Sequence, residues 1–240
     1  MVIHVLKSDP PIFVNIRHYR QARLMKLKIS EIDGKVSVSC PSWVTTDEAL
    51  TFAERHIDWI LEVQQRVPST IYVQPGVRIP IEGREYTIYP SSVEAVTLSE
   101  DKVLVPDFIG IGIRVATFLK NLCMERVIKF ADLFSDAVGR PYDTITLRDP
   151  RSRWGSCTHG NNLMFSWRII MAPPSALRYL VAHEVAHLVE MNHSERFWNL
   201  VTEINGPWEK DRNYFRQEAN NLHRYNFCHV DRSFNSDGPF

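Results

Sequence analysis

The sequence predicts an α+β fold. A β-rich amino-terminal region, residues 1–108, is expected to pack on a catalytic part, residues 109–240, in which a small sheet leads into a helix. Three observations carry this. Short alternating apolar runs broken by Gly and Pro fill the first hundred residues. A long helix-period run then begins near residue 113. Finally, His183-Glu184-Val185-Ala186-His187 sits in a stretch that is apolar in nearly every direction around a helix, which marks a buried helix.

In chain order, residues 24–30 and 35–39 alternate apolar and polar positions around Ile32-Asp33-Gly34, a hairpin signal. Thr46 or Asp47 can cap a helix running to Gln65, with Leu50, Ala53, Ile57 and Ile60 near a helical repeat and Pro68 as a stop. A second hairpin is predicted over 77–89 about Glu82-Gly83, then a strand over 102–105. Asp107 to Gly112 is the expected boundary, and a helix over 113–138 ends at Gly139-Arg140-Pro141. Strands are expected at 144–148 and 163–171. Pro173-Pro174-Ser175 then starts the histidine helix, with Ser175 as the expected cap. After a turn at Met191-Asn192, Ser194 should cap a helix to Ile204; after Gly206-Pro207, a last helix should run over 208–224.

Two histidines four residues apart lie about 40° apart around a helix, so both can grip one cation. Glu184 beside them can reach a water without itself being a ligand, which suits a general base. His193 follows six residues after His187. On a straight helix it would point elsewhere, about 240° on, so the chain must stop and turn back for it to serve as third ligand. Three protein ligands with one open position is the pattern of catalytic zinc.

The run Arg151-Ser152-Arg153-Trp154-Gly155-Ser156-Cys157, then His183-Glu184-x-x-His187, then Asn192-His193-Ser194 and Phe197-Trp198, resembles the YgjP-like family of zinc metallopeptidases. That family is similar to SprT-like proteins and to other zincins, so the resemblance implies a zincin-like catalytic domain. It is tight over about residues 112–227 and implies His183, His187 and His193 as metal ligands and Glu184 as catalytic residue. The histidine spacing is also that of metzincins, with Glu190 where those enzymes carry Gly.

Acidic and basic residues balance at 28 each, so no overall field points to nucleic acid or membrane. No apolar run approaches a membrane span, the N-terminus shows no leader pattern, and cytoplasm is the expected location. Four scattered cysteines without a CxxC pair disfavour both a disulfide framework and a cysteine metal site. Cys157 as a nucleophile, and Arg148, Arg151, Arg153 and Arg168 with Trp154 and Trp167 as a nucleic-acid patch, are weaker readings.

The expected activity is therefore metal-dependent hydrolysis of a polypeptide, with one zinc per chain, or another divalent ion such as nickel, and Tyr179, Arg151 or His159 as oxyanion partner. The alternative is a metal-stabilised protein- or nucleoprotein-binding module with little hydrolytic activity.

Overall fold

The computed structural model describes residues 3–106 and 110–228. It is a mixed α+β structure with several small sheets, divided into two compact units, Met1–Thr70 and Ile71–Phe240. The boundary expected at 108/109 lies outside the described residues.

In the first unit, β1 (Ile3–Leu6), β2 (Ile12–Tyr19), β3 (Lys26–Ile29) and β4 (Val36–Pro41) form one sheet in the order β1-β2-β4-β3. The hairpin of β3 and β4 was legible, whereas β1 and β2 were not. Strand β2 nevertheless alternates: Ile12 and Val14 are buried and Phe13 is exposed. The inward residues meet α1 (Thr46–Glu54) and α2 (Ile57–Gln65) through Ala49, Ala53 and Ile60. Thr45 caps α1 in a box with Glu48, each side chain serving the other's backbone N–H. The single helix expected over 46–65 is broken. His56 turns its ring back so that Nδ1 bonds the Phe52 carbonyl at 2.8 Å, and its own N–H bonds Ala53 instead of continuing the ladder.

The second unit begins with β5 (Ile71–Tyr72), then β6 (Arg78–Ile81), β7 (Arg84–Ser91), β8 (Thr97–Ser99) and β9 (Lys102–Pro106), the last four ordered β6-β7-β9-β8. These strands, expected to belong with the amino-terminal region, share a core with the helix and strands on their carboxy-terminal side. Val73, Ile79, Ile81, Ile88, Val103 and Val105 pack with Val115 and Leu119 of α3 (Ile111–Val138) and with Leu163, Phe165 and Ile169. Helix α3 ends where Gly139 takes φ +65°, a left-handed conformation that a side chain disfavours.

Next come β10 (Thr144–Arg148), β11 (Gly155–Cys157) and β12 (Asn162–Ser166), with β12 central, parallel to β10 and antiparallel to β11. The strand expected over 163–171 stops at Ser166, and Trp167–Met171 is a 3-10 turn. An unbroken apolar run carries no period by which to tell the two apart. Arg168 decides it, held by Asp149 at 2.7 and 2.9 Å and by the carbonyls of Leu222 and Tyr225 at 3.0 and 2.9 Å. Trp167 is buried as well, so these two residues drop out of the basic aromatic patch.

Helix α4 (Pro174–Ala186) carries the histidine motif, followed by α5 (Glu195–Asn205), α6 (Glu209–Gln217) and β13 (Tyr225–Asn226), which pairs with β5. Pro173, not Ser175, is the cap residue of α4, and Pro174 occupies the first turn, where its missing N–H costs nothing. The Ser175 hydroxyl instead donates to buried Asp211 at 2.8 Å and ties α4 to α6. The last helix ends at Gln217, and Ala219–Arg224 is 3-10.

The shared core makes a prediction about truncation. A fragment beginning at Ile71 should fold cooperatively, whereas one beginning at Gly112 should not. The second loses seven buried apolar side chains worth about 10 kcal/mol together, comparable to a whole domain's stability. Thermal unfolding followed by circular dichroism tests both; a sharp transition in the shorter fragment would refute this account of the core.

Candidate metal centre

Helix α4 brings His183 and His187 to one face and buries Glu184 next to them, 4% exposed. The helix stops at His187, its C-cap residue at φ −67° and ψ −15°, four residues before the expected break. Asn192 was expected to turn the chain through the left-handed region, but it is not among the residues of positive φ. Hydrogen bonds turn it instead. Glu190 N–H donates to the Ala186 carbonyl at 2.9 Å, and Ser194 N–H to Asn192 at 2.7 Å. Ser194 then caps α5 as expected, accepting from Phe197 N–H at 3.4 Å.

That turn returns His193 to the helix. The three histidines offer ligand atoms that all lie within 4.8 Å of one another. Nε2 of His193 is 3.1 Å from Nε2 of His183. Two imidazole nitrogens this close need a proton or a cation between them, since two facing lone pairs would repel. His187 Nδ1 donates to the Glu190 carbonyl at 3.0 Å, which fixes the tautomer and leaves Nε2 free as an acceptor. His183 Nδ1 is buried without a hydrogen-bond partner. Burial, then the neighbouring His187, His193 and Arg212, push His183 down to about 3, so its ring stays neutral and able to ligate. His187 is lowered as well, chiefly by burial. The donor set fits a borderline-soft divalent cation.

An aromatic floor holds these rings in place. Phe197 lies 4.6 to 4.9 Å, centroid to centroid, from all three imidazoles. Trp198 stacks beside His193 at 5.6 Å and on Trp208 at 4.3 Å, and the Arg212 guanidinium covers Trp198 at 4.5 Å. Ring orientation is thus set by packing on α5, not by the histidine helix alone.

Glu184 lies against the backbone of β11. A Cβ built on Gly155 would sit 2.5 Å from Glu184 Oε1 and 2.8 Å from its Cδ and Cγ, so only glycine permits this approach. Burial pushes the Glu184 carboxyl up to about 8, partly offset by the charge of Arg153. A cation nearby would lower it again. The sequence reading missed this use of Gly155, although a glycine inside a short strand signals close approach.

Of the other named residues, Tyr179 is buried one turn before His183, ring centroids 5.9 Å apart, and burial pushes its phenol up to about 12. Arg151 and His159 are exposed, and Arg151 acts on His223. Arg153, named only in the weaker patch reading, is the arginine whose field reaches Glu184. Cys157 does not suit a nucleophile: burial and then Glu184 push its thiol up to about 11. Trp154 packs on Phe215 and His223 at 5.9 and 5.0 Å. None of the helices within the described residues is long and apolar enough to cross a membrane.

A family model described as YgjP-like, metallopeptidase domain, matches residues 23–218. No curated protein and no solved structure matches the chain.

Proposed function

The chain belongs to the YgjP-like metallopeptidase-domain family, and from that premise we propose that it is a zincin-like zinc metallopeptidase that hydrolyses peptide bonds. The observation that carries this reading is the convergence of three imidazoles beside one buried carboxylate, with no fourth protein ligand in the group among the described residues. A structural zinc is normally closed by four protein ligands, so three favour an enzyme over a binding module.

His183, His187 and His193 would hold the ion, one per chain, zinc by preference and nickel or another divalent ion as substitute. When bound, the ion supplies Lewis acidity that polarises the scissile carbonyl and acidifies water. Glu184 takes a proton from the attacking water as its oxygen bonds to the carbonyl carbon. The C–N bond then breaks, and Glu184 returns the proton to the leaving nitrogen. Tyr179, kept protonated by burial, and Arg212, whose charge reaches His183, are the donors this reading assigns to the developing oxyanion.

Strand β11 is an edge strand of its sheet and carries Gly155 against Glu184. An extended polypeptide could add to that edge by backbone hydrogen bonds, which carry little sequence information, so selectivity should be broad. Trp167 is core and Trp154 packs on Phe215 and His223, so neither ring is assigned to the substrate. The test is cleavage of an unfolded protein by the purified chain, lost with a chelator and restored by zinc. Turnover of a non-peptide metabolite without cleavage of any peptide would sink this reading.

Gly155 offers a sharper check. Gly155→Ala must displace a carboxylate that burial leaves little room to move. Turnover should fall about 100-fold, as for an ångström-scale misplacement of a reacting group, while metal content stays at wild-type level. Wild-type turnover in this variant would mean the approach of Gly155 has no bearing on the chemistry.

A further inference from the structure

The outer face of the sheet in the first unit is built unlike an ordinary solvated face. Along β2 the outward residues are Phe13, Asn15, Arg17 and Tyr19, with Phe13 60% and Tyr19 46% exposed. Strand pairing sets Asn15 between exposed Ile3 and Ser37, with Lys28 beyond, Arg17 beside Ser39 and Lys26, and Phe13 beside exposed Val5. The face therefore presents two aromatic rings along one strand, about 20 Å apart at strand spacing, with cations and hydroxyls in the rows between them.

Over residues 10–30 the charge is one-signed. Between Asp9 and Glu31 the chain has no carboxylate but carries Arg17, Arg20, Arg23, Lys26 and Lys28, all exposed. Overall neutrality conceals this, because the balancing acids lie elsewhere in the sequence. At the end of the face is a concavity of about 500 Å³ lined by Tyr19, Arg23, Leu24, Lys26 and Ser39, among others. An aromatic ring, two cations and a hydroxyl around one hollow match a base and its flanking phosphates.

We propose that this sheet face binds single-stranded nucleic acid, with Phe13 and Tyr19 stacking on bases and Arg17, Arg23 and Lys26 holding phosphates. Stacking platforms inside a positive groove suit single strands, whose bases are free to splay, and are sequence-tolerant because every base has a π face. An acidic peptide would satisfy the cations but leave the two rings without a flat partner. The inference is independent of the metal centre, which lies wholly in the second unit.

The experiment is fluorescence anisotropy of a labelled oligothymidylate of about 12 nucleotides with the full chain, over a range of salt. Binding should weaken with salt at a log–log slope of about −2, as expected for roughly three phosphate contacts on a single strand. Phe13→Ala and Tyr19→Ala should each weaken it about fivefold or more, and Lys26→Glu should also flatten the slope. Both aromatic positions are exposed, so thermal midpoint and metal content should match wild type. No binding at low salt overturns the proposal. So does binding that survives loss of both rings, which would show a generic polyanion patch.

Discussion

Replacing His183 and His187 together by alanine should reduce bound metal from about one ion per chain to less than about a tenth, measured by elemental analysis after dialysis. Two of the three proposed ligands disappear, and the described residues hold no second cluster of His, Cys, Asp and Glu placed to take over. His193, exposed at the mouth of the site, cannot retain the ion alone. The metal-free fold should lose some stability. Removing His183 Nδ1, a buried polar atom without a partner, relieves a desolvation cost, but the His187 bond to the Glu190 carbonyl and the packing of both rings on Phe197 are lost. The gap between wild type and variant should be smaller with chelator present than without it, because a metal that binds only the folded state adds its binding energy to wild type alone. Full metal occupancy in the double variant would remove these histidines as ligands.

Glu184→Gln should leave metal and fold intact and lower peptide turnover by about 10²- to 10⁴-fold, the range over which a positioned general base contributes. Gln has the shape of Glu and can lie against Gly155 as the acid does, but its amide cannot accept the proton. Burying a neutral amide in place of a carboxyl that burial already pushes up to about 8 costs little, so the thermal midpoint should hold or rise. Metal content and turnover measured on one preparation separate binding from chemistry. If the glutamine variant turned over peptide at the wild-type rate, the proton would have to go elsewhere.

Much of the architecture was legible because it is local. The hairpin of β3 and β4, the stop of α3 at Gly139 and the Ser194 cap each follow from a few adjacent residues. The strand that ended early and the misplaced strands of the second unit share one cause, a distant partner, whereas the helix break at His56 is local. Arg168 draws the end of an apolar run out of the strand and into a 3-10 turn by reaching Asp149, Leu222 and Tyr225. His56 breaks a helix by competing for a carbonyl that periodicity assigns to the ladder. The strands of residues 71–106 read as one piece with those before them, and only the burial of Ile79, Ile88 and Val103 against α3 shows which core they fill.

The same division holds at the metal centre. The spacing of His183 and His187 is a property of one helix, so sequence alone determined that they share a face, with Glu184 beside them, and that His193 can join them only if the chain returns. Only the tertiary structure decided how His193 returns, through a turn that also supplies the Glu190 carbonyl to His187. Only the tertiary structure, too, set Gly155 against Glu184 and Phe197 beneath all three rings. Helical periodicity is a short-range rule of the backbone, whereas these contacts join separate elements and exist only once sheet and helices have packed.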